Sequence, residues 1–343
     1  MKKKTTAKSK APRIDVHSHV IPKEMLEAIA RNPERYEMRI EEKHGKRRIV
    51  REGGNVFPVF REFYDADAKV AGMDRKGLDL SLISPAPMVF FYWLDADVAL
   101  EAARIINDGI AKMAAARRDR LEGMGTLPMQ DPDAAVAELE RIVKEHGFRC
   151  VELGTSVEEE QLGDAKFRPV LRRAQELKVF IFAHPYSFTP GCGMENYYLR
   201  NLIGNPLQST IMAANLMFSG ALDELKQLKV CLAHGGGYVP YQIGRFAHGH
   251  KVRKETRTLT KTSPYRLMRR FYYDALTHDA RALCYLIEMV GADRVAIGTD
   301  APFDMGEERP LEMIKSVRGL SAADREQIFS RTARSLLGAR RRR

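Results

Sequence analysis

Cysteine is scarce in this chain of 343 residues, and long apolar runs are missing. The four cysteines are widely separated and form no CxxC pair, which predicts reduced thiols rather than a disulfide framework. No apolar stretch approaches the length of a membrane span, and no secretory segment follows the basic start. No Gly-rich phosphate loop follows the first predicted strand, which disfavours a dinucleotide-binding fold. We therefore expect a cytoplasmic protein.

Negative charge is absent from both ends of the chain. Residues 1–13 hold six Lys or Arg and no acid, and residues 340–343 are four arginines. The two ends therefore carry ten of the eleven excess positive charges. We interpret 1–12 and 339–343 as disordered basic tails rather than as a surface for nucleic acid or a membrane. With 44% apolar residues, the body can bury a large core.

What the sequence does contain is a regular alternation of short apolar runs with amphipathic stretches. The runs predict strands at 14–17, 79–84, 121–126, 149–153, 179–184, 229–234, 271–275 and 294–299. The amphipathic stretches predict helices that include 98–118, 133–146, 164–177 and 280–290. Eight apolar strands that alternate with helices favour an α/β fold, a (β/α)8 TIM barrel over residues 13–338.

Two connections are too long for simple loops of such a barrel. Residues 36–60, which follow the first strand, alternate polar and apolar residues around HG and GG and predict a small antiparallel insertion. Residues 185–215 are rich in Pro, Gly, Asn and Tyr and predict a second loop that covers the site. A final helix is predicted to begin at an N-cap, Ser321, and to stop at Gly338.

Polar residues stand where several of the predicted strands end. His17 and His19 end the first strand, His184 the fifth and His234 the sixth, and Asp300 follows the eighth. All strands of a parallel barrel open onto one face, so these side chains should converge there. Three imidazoles and a carboxylate suit one divalent ion, with Zn²⁺ favoured and Mn²⁺, Co²⁺ or Fe²⁺ as alternatives. Such an ion would lower the pKa of a bound water to about 7.

A single histidine at a strand end is more often a hydrogen-bonded structural residue, so the metal prediction depends on the whole set. A second HxH sequence, at 248–250, follows no predicted strand and lies near Lys and Arg. We interpret it as part of a surface or of a helix end.

Four motifs, in order along the chain, resemble one known family. The stretches DVHSHVIP, FAHP, LAHGGGYVPYQIGR and GTDAPFDMG are similar to those of the amidohydrolase superfamily, in the branch of 2-amino-3-carboxymuconate-6-semialdehyde decarboxylase. The resemblance extends from about residue 13 to 338. It implies that His17, His19, His184 and Asp300 hold the ion, and that His234 is an acid/base beside it together with Asp300.

The resemblance also implies substrate contacts and departures from the family pattern. Arg245 would bind a substrate carboxylate from a neighbouring subunit, so a homodimer is expected, with a surface salt bridge as the alternative. Phe303 would form an apolar wall of the pocket or pack in the core. The fourth strand offers Glu152 and no lysine for a bridging carbamate, which favours one metal ion. Phe57 stands where the resembled decarboxylase has a second arginine, which argues against that enzyme's own substrate.

We therefore predict a metal-dependent non-oxidative decarboxylase of an aromatic or unsaturated carboxylic acid, which uses a metal-bound water and a histidine acid/base. The alternative is a metal-dependent hydrolase of an amide, ester, lactone or C–C bond at the same site. A third hypothesis, less favoured, is a non-catalytic barrel that binds a partner.

Overall fold

The computed structural model describes residues 11–51, 56–186 and 193–338, and its centre is a set of parallel strands. The basic tails predicted at both ends lie almost entirely outside these residues. In chain order the strands are β1 (Ile14–Val20), β2 (Met38–Lys43), β3 (Lys46–Arg51), β4 (Val56–Pro58), β5 (Leu80–Pro85), β6 (Leu121–Gly123), β7 (Cys150–Gly154), β8 (Ser156–Val157), β9 (Glu160–Gln161), β10 (Phe180–His184), β11 (Val230–Leu232), β12 (Tyr272–Asp274) and β13 (Val295–Ala296).

Eight of these strands form the predicted barrel. They lie in two parallel sheets, with the orders β1-β5-β6 and β13-β12-β11-β10-β7. The sheets are joined on one side by a parallel bridge between Asp15 and Ile297, and on the other by one between Gly125 and Val151. The prediction of a (β/α)8 barrel is confirmed.

Helices connect the strands and cover the outside of the barrel. In chain order they are α1 (Lys23–Arg31), α2 (Pro33–Tyr36), α3 (Ala66–Lys76), α4 (Ala96–Ala116), α5 (Pro132–Glu145), α6 (Arg168–Leu177), α7 (Asn205–Phe218), α8 (Ala221–Glu224), α9 (Val239–Val252), α10 (Pro264–Met268), α11 (Ala280–Val290), α12 (Pro310–Ser316), α13 (Ala322–Glu326) and α14 (Thr332–Leu337). None of the described helices is long and apolar enough to cross a membrane.

The apolar core has two layers. Inside the barrel, buried side chains such as Val16, Leu82 and Phe182 pack together beneath the polar residues of the strand ends. A larger cluster fills the space between the strands and the helices. This packing explains why the strands read as continuous apolar runs, because both of their faces are buried.

The insertion after the first strand is present as a three-stranded antiparallel sheet of β2, β3 and β4. The loop predicted over 185–215 is wrong in its second half, because α7 begins at Asn205. Pro206 suited a loop in the sequence, but a proline in the first turn of a helix removes no hydrogen bond. The apolar residues that follow pack inward, with Met212 and Leu216 fully buried.

The C-terminal helix begins at the predicted N-cap. The Ser321 hydroxyl accepts a hydrogen bond from the Asp324 backbone N–H, and the Asp324 side chain accepts one from the Ser321 N–H. This helix is interrupted by a π-helical turn at Gln327–Arg331 and ends before Gly338, as predicted.

Candidate active site

Five polar side chains that are remote in sequence meet at the carboxyl end of the barrel. His17 and His19 lie near the end of β1, and His184 is the last residue of β10. His234 lies two residues beyond β11, and Asp300 lies four beyond β13. The parallel strands direct all five to one mouth, as the sequence predicts.

The atoms that could ligate an ion lie within a few ångströms of one another. The Nε2 atoms of His17 and His19 are 3.0 Å apart, and Asp300 Oδ1 lies 3.2 Å from the first and 3.0 Å from the second. His184 joins this group, because its ring centroid is 5.0 Å from that of His17 and 4.9 Å from that of His19. His234 Nε2 lies 3.6 Å from the other Asp300 oxygen, Oδ2.

Hydrogen bonds behind the rings set their orientation. The Nδ1 atom of His19 lies 3.2 Å from the Pro85 carbonyl oxygen, and Nδ1 of His184 lies 2.6 Å from that of Pro185. A carbonyl can only accept, so both rings donate through Nδ1 and direct an Nε2 lone pair toward the centre of the site. His184 Nε2 has no hydrogen-bond partner among the described residues, although it is buried. Such an arrangement fits a cation.

Burial and neighbouring charges set the protonation states of these groups to those that a metal site needs. Burial lowers the pKa of His19 to about 4 and that of His184 well below its usual value, so both imidazoles are neutral. Burial alone would raise the pKa of Asp300, but the adjacent imidazoles outweigh it and hold this pKa well below the usual range. Two neutral imidazoles, which can each offer a lone pair to a metal ion, therefore face a carboxylate.

His17 is the ring at which the site most strongly stabilises positive charge. Its Nδ1 lies 2.6 Å from Asp274 Oδ2, and both residues are fully buried. Burial opposes a charge on this imidazole, but the carboxylates of Asp300 and Asp274 prevail and raise its pKa well above the usual value. The same two carboxylates would favour a metal cation in contact with this ring.

The HGGG sequence packs closely against the residues around it. His234 and Asp300 both have positive φ angles, 55° and 58°, which are unfavourable for residues with a side chain and are frequent at functional sites. A Cβ atom on Gly236 would lie 2.5 Å from the Tyr273 ring, and one on Gly237 would lie 2.1 Å from the Pro206 carbonyl oxygen. Only glycine fits at these two positions.

The two residues expected to contact substrate, Phe303 and Arg245, lie in different parts of the structure. The Phe303 ring lies 5.3 Å from the His19 ring and 5.4 Å from the Phe63 ring, measured between centroids, so it borders the site. Arg245 is exposed on α9, outside the cluster of its own chain. The HGH sequence, 248–250, lies at the end of the same helix, as interpreted from the sequence.

Sequence reasoning missed two supporting residues and left one unassigned. Asp274 orients His17 and accepts backbone hydrogen bonds from His234 and Gly235. Its position at the end of a predicted apolar strand was the available signal. Lys69, buried on α3, gave no signal because a single lysine in a helical stretch is usually exposed to solvent. Glu152 is fully buried, 3.6 Å from His19 Nδ1, and burial raises its pKa to about 8.

Comparison with protein families gives one match that spans almost the whole described structure. A family model with the description Amidohydrolase matches residues 14–339.

Two curated relatives are about 30% identical to this chain over the aligned residues. The 2-amino-3-carboxymuconate-6-semialdehyde decarboxylase of Dictyostelium discoideum is 29% identical over 340 residues, which cover 95% of this chain and 91% of the relative. The gamma-resorcylate decarboxylase of Polaromonas sp. (strain JS666) is 30% identical over 293 residues, which cover 79% and 86% respectively.

Solved structures have the same fold over nearly their full length. A dihydroxybenzoic acid decarboxylase from Polaromonas sp. JS666, with bound manganese and the inhibitor 2-nitroresorcinol, superimposes with a TM-score of 0.76 at 25% identity and covers 95% of this chain and 97% of its own. The apo IDCase of Metarhizium anisopliae gives a TM-score of 0.83 at 23% identity, with the same coverage.

Proposed function

Because this chain belongs to the amidohydrolase family, we propose that it is a metal-dependent decarboxylase that removes CO₂, without oxidation, from an aromatic or unsaturated carboxylic acid. The observation that carries this proposal is the convergence of three imidazoles and the Asp300 carboxylate at the barrel mouth. The two relatives and the manganese-containing solved neighbour named above, which match over most of their length, are decarboxylases by name. Their substrates include dihydroxylated benzoic acids, by name.

In this proposal a single divalent cation is held by His17, His19, His184 and Asp300. The solved neighbour with manganese supports a divalent ion, and we propose zinc as the native metal because neutral imidazoles are among its preferred ligands. The cation would supply Lewis acidity that polarises oxygens of the substrate.

Residues of this chain would transfer the proton that the reaction needs. When the bond between the substrate carbon and its carboxylate breaks, CO₂ leaves and the electron pair on the carbon must take up one proton. His234 is suited to deliver it, since it lies at the edge of the cluster with its Nε2 3.6 Å from Asp300 Oδ2. The His234 side chain is 17% exposed, so it can regain the proton from solvent.

We also propose that the protein acts as a homodimer in which Arg245 binds the substrate carboxylate in the neighbouring subunit. Among the described residues Arg245 has no ion-pair partner, and it shares α9 with the exposed side chains of Tyr241 and Val252. A guanidinium and apolar side chains on one helix suit a subunit interface that lies next to a negatively charged ligand. Sedimentation velocity is expected to give a dimer, and a monomer at working concentration would contradict this proposal.

The function is tested with purified protein by metal analysis and by a screen of hydroxylated benzoates and dienoic acids with CO₂ detection. We expect about one metal ion per chain, CO₂ release for at least one acid, and loss of turnover after chelation that added metal restores. Full activity of rigorously metal-free protein would contradict the proposal. Substrate cleavage with incorporation of ¹⁸O from water and without CO₂ would instead identify a hydrolase.

A further inference from the structure

A buried lysine beside the site joins two of the three chain segments that carry the proposed metal ligands. Lys69 is 1% exposed, and its ammonium donates to Ser18 Oγ at 3.0 Å, to the His19 carbonyl oxygen at 2.7 Å and to the Ala301 carbonyl oxygen at 3.2 Å. These contacts use all three of its N–H donors. All three acceptors are uncharged oxygens, so the contacts serve to hold backbone segments together rather than to neutralise an acid.

The segments that meet at this ammonium come from opposite ends of the chain. The Ala301 carbonyl oxygen also accepts hydrogen bonds from the His19 backbone N–H at 2.7 Å and from Ser18 Oγ at 3.3 Å. His19 is therefore held through both its N–H and its carbonyl oxygen. Asp300, which directly precedes Ala301, has the positive φ of 58°, a conformation that persists only where the surroundings enforce it.

We propose that Lys69 is a positioning residue that fixes His19 relative to Asp300 so that both can ligate one cation. An ammonium is an expensive group to bury, and an apolar side chain of similar length would fill the same space at lower desolvation cost. What such a side chain would lack is the set of three hydrogen bonds across the two segments. The inference rests on the proposed metal site but not on the identity of the substrate.

The same helix offers a matched control. Lys76 lies seven residues further along α3 and is also buried, 7% exposed, but its ammonium pairs with the two carboxylate oxygens of Glu308, each at 2.9 Å. Lys76→Met removes a buried ammonium whose partner, Glu308, lies eight residues beyond Asp300, and this ammonium contacts neither His19 nor Ala301. An effect shared by both lysines would reflect stability alone.

The experiment compares Lys69→Met, Lys69→Arg and Lys76→Met with the parent protein. The Kd for Zn²⁺ is measured by competition with a chromogenic chelator, and the thermal midpoint of each protein is measured without metal. We expect Lys69→Met to raise the Kd about 10- to 100-fold, the range found when groups that orient ligands are lost. Lys69→Arg, which keeps the charge and N–H donors, should lie closer to the parent, and Lys76→Met should match the parent.

An unchanged Kd in Lys69→Met, or an equal rise in Lys76→Met, would overturn the inference. If Lys69→Met does not fold, Ser18→Ala removes one acceptor of the ammonium without burying or exposing a charge. A Kd raised several-fold in that variant would support the inference, and a parental Kd would overturn it. A parent protein that binds Zn²⁺ but releases no CO₂ would refute only the decarboxylase function, whereas a parent that binds no Zn²⁺ would refute both.

Discussion

Two HxH sequences with the same spacing have opposite surroundings in this molecule. His17 and His19 are fully buried near the end of a barrel strand, where histidines and acids from other strands meet them. His248 and His250 lie near the end of α9, where His248 is exposed and the His250 ring donates to the Thr260 carbonyl oxygen. Spacing alone therefore does not identify a ligand pair. Convergence with other strand ends and buried acceptors behind the rings distinguish the first pair.

The largest expected effect is the loss of activity when one imidazole of the buried pair is removed, and the exposed pair provides the control. His19→Ala should lower kcat/KM by about 1000-fold, because loss of the cation forfeits several kcal/mol of transition-state stabilisation. His248→Ala should leave both activity and metal content unchanged. Steady-state kinetics with metal analysis of both variants checks this. Comparable losses in the two variants would remove the distinction between the pairs.

A smaller effect, on metal affinity, is expected when a hydrogen-bond acceptor behind one of the imidazoles is replaced. Asp274→Asn replaces the carboxylate that holds His17 and should weaken metal binding about 10- to 100-fold, as measured by chelator competition. Asp223→Asn is the control from the other region, since Asp223 accepts hydrogen bonds from Thr260 and Thr262 beside His250. If the control weakens metal binding as much as Asp274→Asn, the Asp274 carboxylate has no specific role in metal binding.

Much of this contrast could be predicted before the structure. The eight apolar runs are followed by polar residues that parallel strands must bring to one mouth, so His17 and Asp300 could be placed together although 283 residues separate them. The HGH segment lacked a preceding strand, which correctly separated it from the site. The fold and the convergence of these side chains follow from strand periodicity and from the one-sided opening of a parallel barrel. The division into metal ligands and an acid/base is implied by the family resemblance and stays a prediction.

The supporting residues could not be predicted in the same way. Lys69 and Asp274 act through hydrogen bonds to residues far away in the chain, and no local pattern encodes such partners. The helix at Asn205–Phe218 was missed because its first residues resemble a loop in composition. Its later apolar residues show helical spacing, so a wider window would have indicated it.

The smallest effect concerns the proposed contact across subunits. Arg245→Ala should raise KM about 10-fold with little change in kcat, since one charged hydrogen bond to a substrate carboxylate contributes about 1.5 kcal/mol or more. Arg253→Ala is the control, because Arg253 follows the same helix and pairs with Glu255. Equal kinetics for both variants, with the dimer intact, would exclude Arg245 from substrate binding.

Anomalous diffraction from crystals grown with Mn²⁺ would show whether the strand ends of the barrel bind one cation. We expect one strong manganese peak per chain, within bonding distance of His17 Nε2, His19 Nε2, His184 Nε2 and a carboxylate oxygen of Asp300. Absence of a peak there, or a peak only between His248 and His250, would refute the proposed metal site.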